Sequence, residues 1–510
     1  MGMRWYSIAI ALGVVACSKS KPEEAAGGSA TKGSAGQTAV QPAPKKPVDT
    51  RPLPPLAKDP GGATGKPLRA TGFGGRGIDA PRAIAVAPGG EAYVAGYFDG
   101  DADFGPGGKF TAAGDQTVKK DIPSDAFVVK LGGDGKIAWA RAFGAERDDV
   151  ANGVAVRGDK VMVVGAFAGE LKIGEFTKKA AGSDDLYVAS FDLGGNVRWL
   201  WHAGGKESDG ANAVAATPDN GWIVAGSYTS TAQFGTVELK SKGGTDAFLI
   251  KLNAAGDLEW VKSFGGRYND RIKYVGVDGQ GNSYVQGEFR DSADWGGPKP
   301  LIAAGGADYD IALAKYDLNG DLKWAKRFGG QFDELASGIA VDPAGNVSIT
   351  GAFRKNISFG DGDDHNSGGE EDIYVARFDT NGKLLWARTY GGVRDDAGGG
   401  VVSDASGNTI VTGWFQGLAD FGLGAVRTKN ENKDAFAMKL DPQGALTWFQ
   451  MFGDKDHDQG RAIAVDDKGA AYVAGLYRFQ LAVVEPPLES ARAEDDRAPK
   501  VDTFVVKLDR

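Results

Sequence analysis

The stretch Asp372-Ile-Tyr-Val-Ala-Arg-Phe-Asp-Thr-Asn-Gly-Lys-Leu-Leu-Trp-Ala-Arg-Thr-Tyr-Gly-Gly-Val-Arg-Asp395-Asp396 decides the fold. It reads as a β-strand, a tight glycine turn, a second strand carrying Trp386, and a glycine corner closed by an acid. Variants recur seven times, at a period of roughly 60 to 68 residues, which is the mark of a repeat architecture. The glycine corners follow Phe73, Phe143, Ala203, Phe264, Phe328, Tyr390 and Phe452. After each comes a small-residue strand such as Gly338-Ile-Ala-Val-Asp342, then a turn such as Asp278-Gly-Gln-Gly-Asn282. A β-rich strand such as Ala471-Tyr-Val-Ala-Gly475 follows, and then the pair of strands quoted above.

Four short strands per unit, joined by tight turns, is the content of one propeller blade. A blade cannot bury both faces alone, so the units must stack around an axis. The expected fold is all-β: a seven-bladed β-propeller of four-stranded antiparallel blades over residues 66–510. Trp139, Trp199, Trp260, Trp324, Trp386 and Trp448 recur at one position, and their expected place is between neighbouring blades. The last unit has three strands, ending at Asp502-Thr-Phe-Val-Val-Lys-Leu-Asp-Arg510. A fourth is expected from Pro67-Leu-Arg-Ala-Thr-Gly-Phe73, with Arg69 where the other units have Trp. Pairing these two segments closes the ring and removes two exposed strand edges. Two insertions, 99–124 and 478–501, lie between second and third strands of units that adjoin across this closure, where loops often carry specificity.

Composition narrows the function. Net charge is −9 over 510 residues, which argues against a nucleic-acid surface. One cysteine, Cys17, excludes an internal disulfide and a cysteine-based metal site, and the histidines are only His202, His365 and His457. Residues 1–16 carry Arg4 and an apolar run from Ile8 to Val15, the order of a secretory signal too short to span a bilayer. Residues 17–65 are rich in Gly, Ser, Ala and Pro and read as a tether with too little apolar surface to fold.

Two resemblances follow from these residues. Val14-Val15-Ala16-Cys17 resembles the bacterial lipobox, which implies cleavage before Cys17, lipid attachment at its thiol and anchoring in the cell envelope. Ser18 after the cysteine implies the outer membrane. Asp-Ala-Phe-Val-Val-Lys-Leu, Trp-Ala-Arg, Phe-Gly-Gly and Ile-Ala-Val-Asp resemble the SBBP-type propeller repeat of exported bacterial proteins, a family with no shared catalytic residues to carry over. The Asp-x-x-Gly-x-x-x-Trp element also looks like the Trp-docking motif of quinoprotein-type propellers.

An acid stands six residues past each corner: Asp79, Asp149, Asp209, Asp270, Glu334, Asp396 and Asp458. A group needed once per unit is expected to fasten blades through hydrogen bonds; the functional alternative is a mouth for a cation or basic partner. Two clusters present alternating carboxylates of the kind calcium accepts: Asp99, Asp101 and Asp103, and Asp454, Asp456 and Asp458. Neither completes a calcium loop, and ordinary solvated turns are the competing reading. Acids on either side of His457 are expected to raise its basicity. No nucleophile motif or phosphate loop accompanies these residues.

The expected function is a non-catalytic, lipid-anchored binding or assembly platform for a protein or glycan ligand, needing no cofactor unless calcium. The competing reading is an exported enzyme, a carbohydrate-active hydrolase or lyase or a quinoprotein-like oxidoreductase, with its site over the central channel. Uniform side chains at the axis point to a platform; one asymmetric polar cluster there points to an enzyme.

Overall fold

In the quoted stretch the Asp379 carboxylate shapes the turn. Its Oδ1 accepts the backbone N–H groups of Asn381 and Lys383, both at 2.8 Å. This leaves Gly382 at φ +76°, a conformation that suits a residue without Cβ. The flanking strands, Asp364–Phe378 and Leu384–Gly392, pair antiparallel, and Trp386 reaches the next unit. Its indole N–H donates to the Pro442 carbonyl (3.0 Å), and its ring lies against Gly444, where a Cβ would meet it at 2.7 Å. Trp139, Trp260 and Trp324 make the same bond to Leu193, Leu318 and Thr380 of the following units. The tryptophans therefore fill the space between units, as their recurrence indicated.

This computed structural model describes residues 64–113, 123–360, 362, 364–422, 424–490 and 501–510. The signal segment 1–16, Cys17 and all but the last two residues of the tether lie outside them, as do parts of both insertions. Within the described residues the chain is an all-β propeller without an α-helix. The first strands of successive units are Asp79–Val86, Val150–Arg157, Gly210–Ala216, Arg271–Val277, Glu334–Val341, Ala397–Ser403 and Gln459–Val465. They lie side by side in chain order, and the last packs against the first. Second and third strands supply the apolar layers between units: Tyr93, Val128 and Trp139 of one unit share a cluster with Val163, Phe167 and Tyr187 of the next.

The sheets are not seven separate blades. Counted by unbroken hydrogen bonding, the strands form six sheets of four to ten strands and a two-stranded ribbon, Gln480–Leu481 with Leu488–Glu489. The cause is the glycine corner. Gly204 and Gly205 pair with Gln233 and Ala232 of the next unit's hairpin, and Gly74–Gly75, Gly265–Gly266 and Gly391–Gly392 do likewise. The approach is so close that a Cβ on Gly205 would lie 1.9 Å from the Thr231 carbonyl oxygen. Where the second glycine is replaced, by Ala145 and by Asp454, neither corner joins such a ladder, and Gly329–Gly330 makes only a single bridge, Gly329 to Ser358.

The two ends of the described chain meet. Pro67–Gly75 runs antiparallel to Asp502–Leu508, with Ala70 opposite Val506 and Phe73 opposite Thr503. Arg69 lies over Gly135 as the tryptophans lie over their glycines. The turn joining these strands is built from both ends. Asp509 N–H donates to the Lys66 carbonyl (2.9 Å), and Lys66 N–H donates to Asp509 Oδ1 (2.7 Å). Gly65, at φ +62°, sits under Trp448. Thr64 and Gly65, read from the sequence as the end of the tether, are thus part of the folded unit.

Candidate functional site

Every first strand carries one extra residue against its partner. The register slips between Pro81 and Ala83, Ala151 and Gly153, Ala211 and Ala213, Ile272 and Tyr274, Ala336 and Gly338, Gly398 and Gly400, and Gly460 and Ala462. Such a bulge leaves its extra residue unpaired and re-aims its side chain. The bulge residues are Arg82, Asn152, Asn212, Lys273, Ser337, Gly399 and Arg461. Six of them, with Tyr274 in place of Lys273, line a cavity of about 180 Å³ between the first strands.

Cationic charge at this axis is unevenly placed. Arg82 and Arg461, from the first and last units, are half-buried, and their Nε atoms are buried without a hydrogen-bond partner among the described residues. Burial, then the neighbouring Arg82 charge, pushes Arg461 down to about 10. Arg82 also stands over the Tyr97 ring, 5.1 Å from its centre. The Glu288 carboxylate supports the charge of Lys273, but burial together with Arg271 and Arg82 outweighs it and leaves the ammonium below its usual pKa.

Glu288 is already committed. Its Oε2 accepts from Arg271 Nε (2.8 Å) and its Oε1 from the Ala336 N–H (2.9 Å). Burial would raise it, yet Lys273, Arg271 and these bonds hold it below the ordinary glutamate value. Tyr274 stands where the other units have Gly or Ala; burial, aided by Glu288, pushes its hydroxyl up to about 12. At the two positions that follow Arg82 around the axis the side chains are neutral. Asn152 and Asn212 donate to the carbonyls of Ala211 (3.0 Å) and Ile272 (2.7 Å), which orients their amides.

The acids picked out by spacing sit elsewhere. Asp79, Asp149, Asp209, Asp270, Glu334, Asp396 and Asp458 are all 2 % exposed or less. Each receives a backbone N–H from the preceding corner, as Asp396 Oδ2 does from Gly392 and Asp209 Oδ2 from Gly205, both at 2.7 Å. All but Asp79 and Glu334 also receive one from the end of the second strand, as Asp396 Oδ1 does from Gln416 (2.9 Å). Burial raises them: Asp149 and Asp396 to about 8, Asp209 and Asp270 to about 7, Glu334 to about 9. A second buried acid adds to each shift, as Asp372 does at Asp396. These carboxyls fasten corner to strand and present no exposed mouth.

The calcium candidates do not converge. Asp99 accepts from the Ile78 N–H (2.6 Å), Asp101 from Thr111 Oγ1 (2.7 Å), and Asp103 pairs with Lys109 (2.9 Å). Asp454 faces Lys429 (3.3 Å), Asp456 faces Arg478 (3.7 Å), and Asp458 is one of the buried fasteners. Among the described residues no group of three or more His, Cys, Asp or Glu is placed to hold a metal. His457 corrects an expectation. Burial outweighs Asp456 and lowers its pKa, and its Nδ1 accepts the Lys433 N–H (3.3 Å).

The axial residues were missed because the reading followed what repeats. Their signal was present three residues after each acid, at the one first-strand position where charge, amide, hydroxyl and glycine alternate between units.

No family model matches the chain. It is similar to the regulatory protein FlaEY of Caulobacter vibrioides, 26 % identical over 377 residues, 68 % of this chain and 38 % of that protein. It is also similar to the uncharacterized WD repeat-containing protein L264 of Acanthamoeba polyphaga mimivirus, 23 % identical over 33 % of this chain and 14 % of that one. The chain thus spans well under half the length of these relatives. Among solved structures, the Neurospora crassa Pan2 WD40 domain aligns over 84 % of this chain and 89 % of its own (10 % identity, TM-score 0.42). An apocarotenoid oxygenase of Synechocystis aligns over 87 % and 94 % (11 % identity, TM-score 0.40).

Proposed function

We propose that this protein is a seven-bladed, ring-closed propeller of the SBBP type that binds an anionic ligand in its axial channel. It is held at the cell envelope, on the outer membrane, by lipid at Cys17. One observation carries the ligand reading: Arg82 and Arg461 converge on the cavity with buried, unpartnered Nε atoms, in a chain whose overall charge is negative. Burying cations without counter-ions is costly, and a bound anion offsets that cost. Ring closure is supported by the pairing of Pro67–Gly75 with Asp502–Leu508 and by first strands that return to their start.

The asymmetry of the axis favours a second reading, an enzyme. The groups present argue against it. The carboxylate there is tied to Arg271 and to backbone, and Tyr274 holds its proton far above neutral pH, so neither of these two groups is poised to abstract a proton. Binding explains the cations without requiring a base.

Titration calorimetry with small oxyanions tests the proposal. Binding that weakens at high salt and falls at least tenfold in Arg82→Gln/Arg461→Gln supports it; no heat with any anion ends it. Acyl labelling of the wild type, lost in Cys17→Ser, tests the anchor, and equal labelling of both ends that part.

A further inference from the structure

The channel wall is divided by chemistry. Arg461 and Arg82, from adjoining units, make one arc; Asn152 and Asn212 follow Arg82 in order around the axis, and Ser337 adds a hydroxyl beyond Tyr274. The aromatic surface is supplied by Tyr274, whose neighbours at that strand position are all Gly or Ala. A bare inorganic anion would use only the cationic arc. Amide and hydroxyl groups held around the rest of the channel match a ligand with several hydroxyls. Each Asn spends an amide N–H on the next strand's carbonyl, which leaves its carbonyl oxygen to accept from such a hydroxyl. An aromatic ring has a negative face that meets the C–H face of a saturated sugar ring. The cavity of about 180 Å³ is below the usual range for drug-sized ligands, roughly 300 Å³ and upward, and suits a single ring unit.

We infer that the axial channel takes one negatively charged sugar unit, its anionic group between Arg82 and Arg461 and its hydroxyls toward Asn152, Asn212 and Ser337. This inference rests on the anion-binding reading above. The carboxylate of a sugar acid and the phosphate of a sugar phosphate share this chemistry. An arginine fork holds either bidentately, so the cations with the amide and hydroxyl groups, not the charge alone, define the ligand.

Calorimetry on the folded protein separates the claims, using D-galacturonate, galactose 1-phosphate, neutral D-galactose, acetate and inorganic phosphate. The expected result is binding of galacturonate or galactose 1-phosphate at least tenfold tighter than of galactose, acetate or phosphate. Whichever of the two binds more tightly identifies the source of the charge. Ser337→Ala, which removes a hydroxyl, and Tyr274→Leu, which removes the aromatic face, weaken the sugar anion by about threefold or more and leave acetate and phosphate unchanged. Arg82→Gln/Arg461→Gln, with its melting temperature checked against the wild type, loses all anions. If inorganic phosphate or acetate binds as tightly as the sugar anions, the sugar assignment fails while the anion reading stands. If galactose binds as well as its charged forms, or nothing binds, both fail.

Discussion

The turn from Asp379 to Lys383 and the junction of Asp509 with Gly65 and Lys66 share two hydrogen bonds, but only the first is continuous chain. In each an aspartate N–H reaches a lysine carbonyl (2.8 and 2.9 Å), and the lysine N–H returns to the aspartate Oδ1 (2.8 and 2.7 Å). In each a glycine at positive φ lies under a tryptophan of the preceding unit, Gly382 under Trp324 and Gly65 under Trp448. The turn is therefore specified by its bonds and its aromatic cover. The peptide link adds only the lower entropy cost of closing a short loop.

The most severe way to break the comparison is to delete residues 66–73, which strips the strand facing Ala70's partner Val506 and bares an apolar edge. The chain should aggregate or lose its cooperative melt; a deletion that melts like the parent means the divided unit is dispensable.

Next in size is pH. Asp149, Asp209, Asp270, Glu334 and Asp396, buried at the corners, are raised to between about 7 and 9, while unfolded carboxyls titrate near 4. The folded state therefore binds more protons, and its stability should fall as pH rises from about 4 through 9. Each carboxyl contributes up to about 1.4 kcal/mol per pH unit in that window. Asp396→Asn should flatten the slope of urea-midpoint against pH; an unchanged slope refutes the assignment.

Trp386→Ala, between continuous units, should cost about 3–5 kcal/mol in urea unfolding. Arg69→Ala, covering Gly135 at the divided unit, should cost about 1 kcal/mol, mostly as lost packing of its stem. Equal losses would mean that Arg69 does the work of a tryptophan. The smallest effect separates the turns themselves. Asp509→Ala should cost about 1–2 kcal/mol and Asp379→Ala about 1 kcal/mol or less, because only the second turn keeps a covalent link.

The architecture was legible because its signals repeat. Corner glycines, turn aspartates and the tryptophans occur once per unit, and each has a steric or hydrogen-bonding reason. The merging of sheets was legible only in part: it lapses where the second glycine is replaced, at Ala145 and Asp454, but also at Gly329–Gly330, where only a single bridge to Ser358 forms. The site was not legible. Its side chains differ from unit to unit, so a search for recurrence passes over Arg82, Asn152 and Arg461 and settles on Asp149 and Asp396, whose job is mechanical. His457 misled for another reason: neighbouring acids are visible in sequence, but burial is not.

The bulge has an evolutionary corollary. In six of the seven units the bulge residue is the one that lines the cavity, so its identity is free of the constraints that fix its neighbours. Each module thus offers one interchangeable letter on an invariant frame. A new selectivity for the pore requires no more than respelling a seven-letter word.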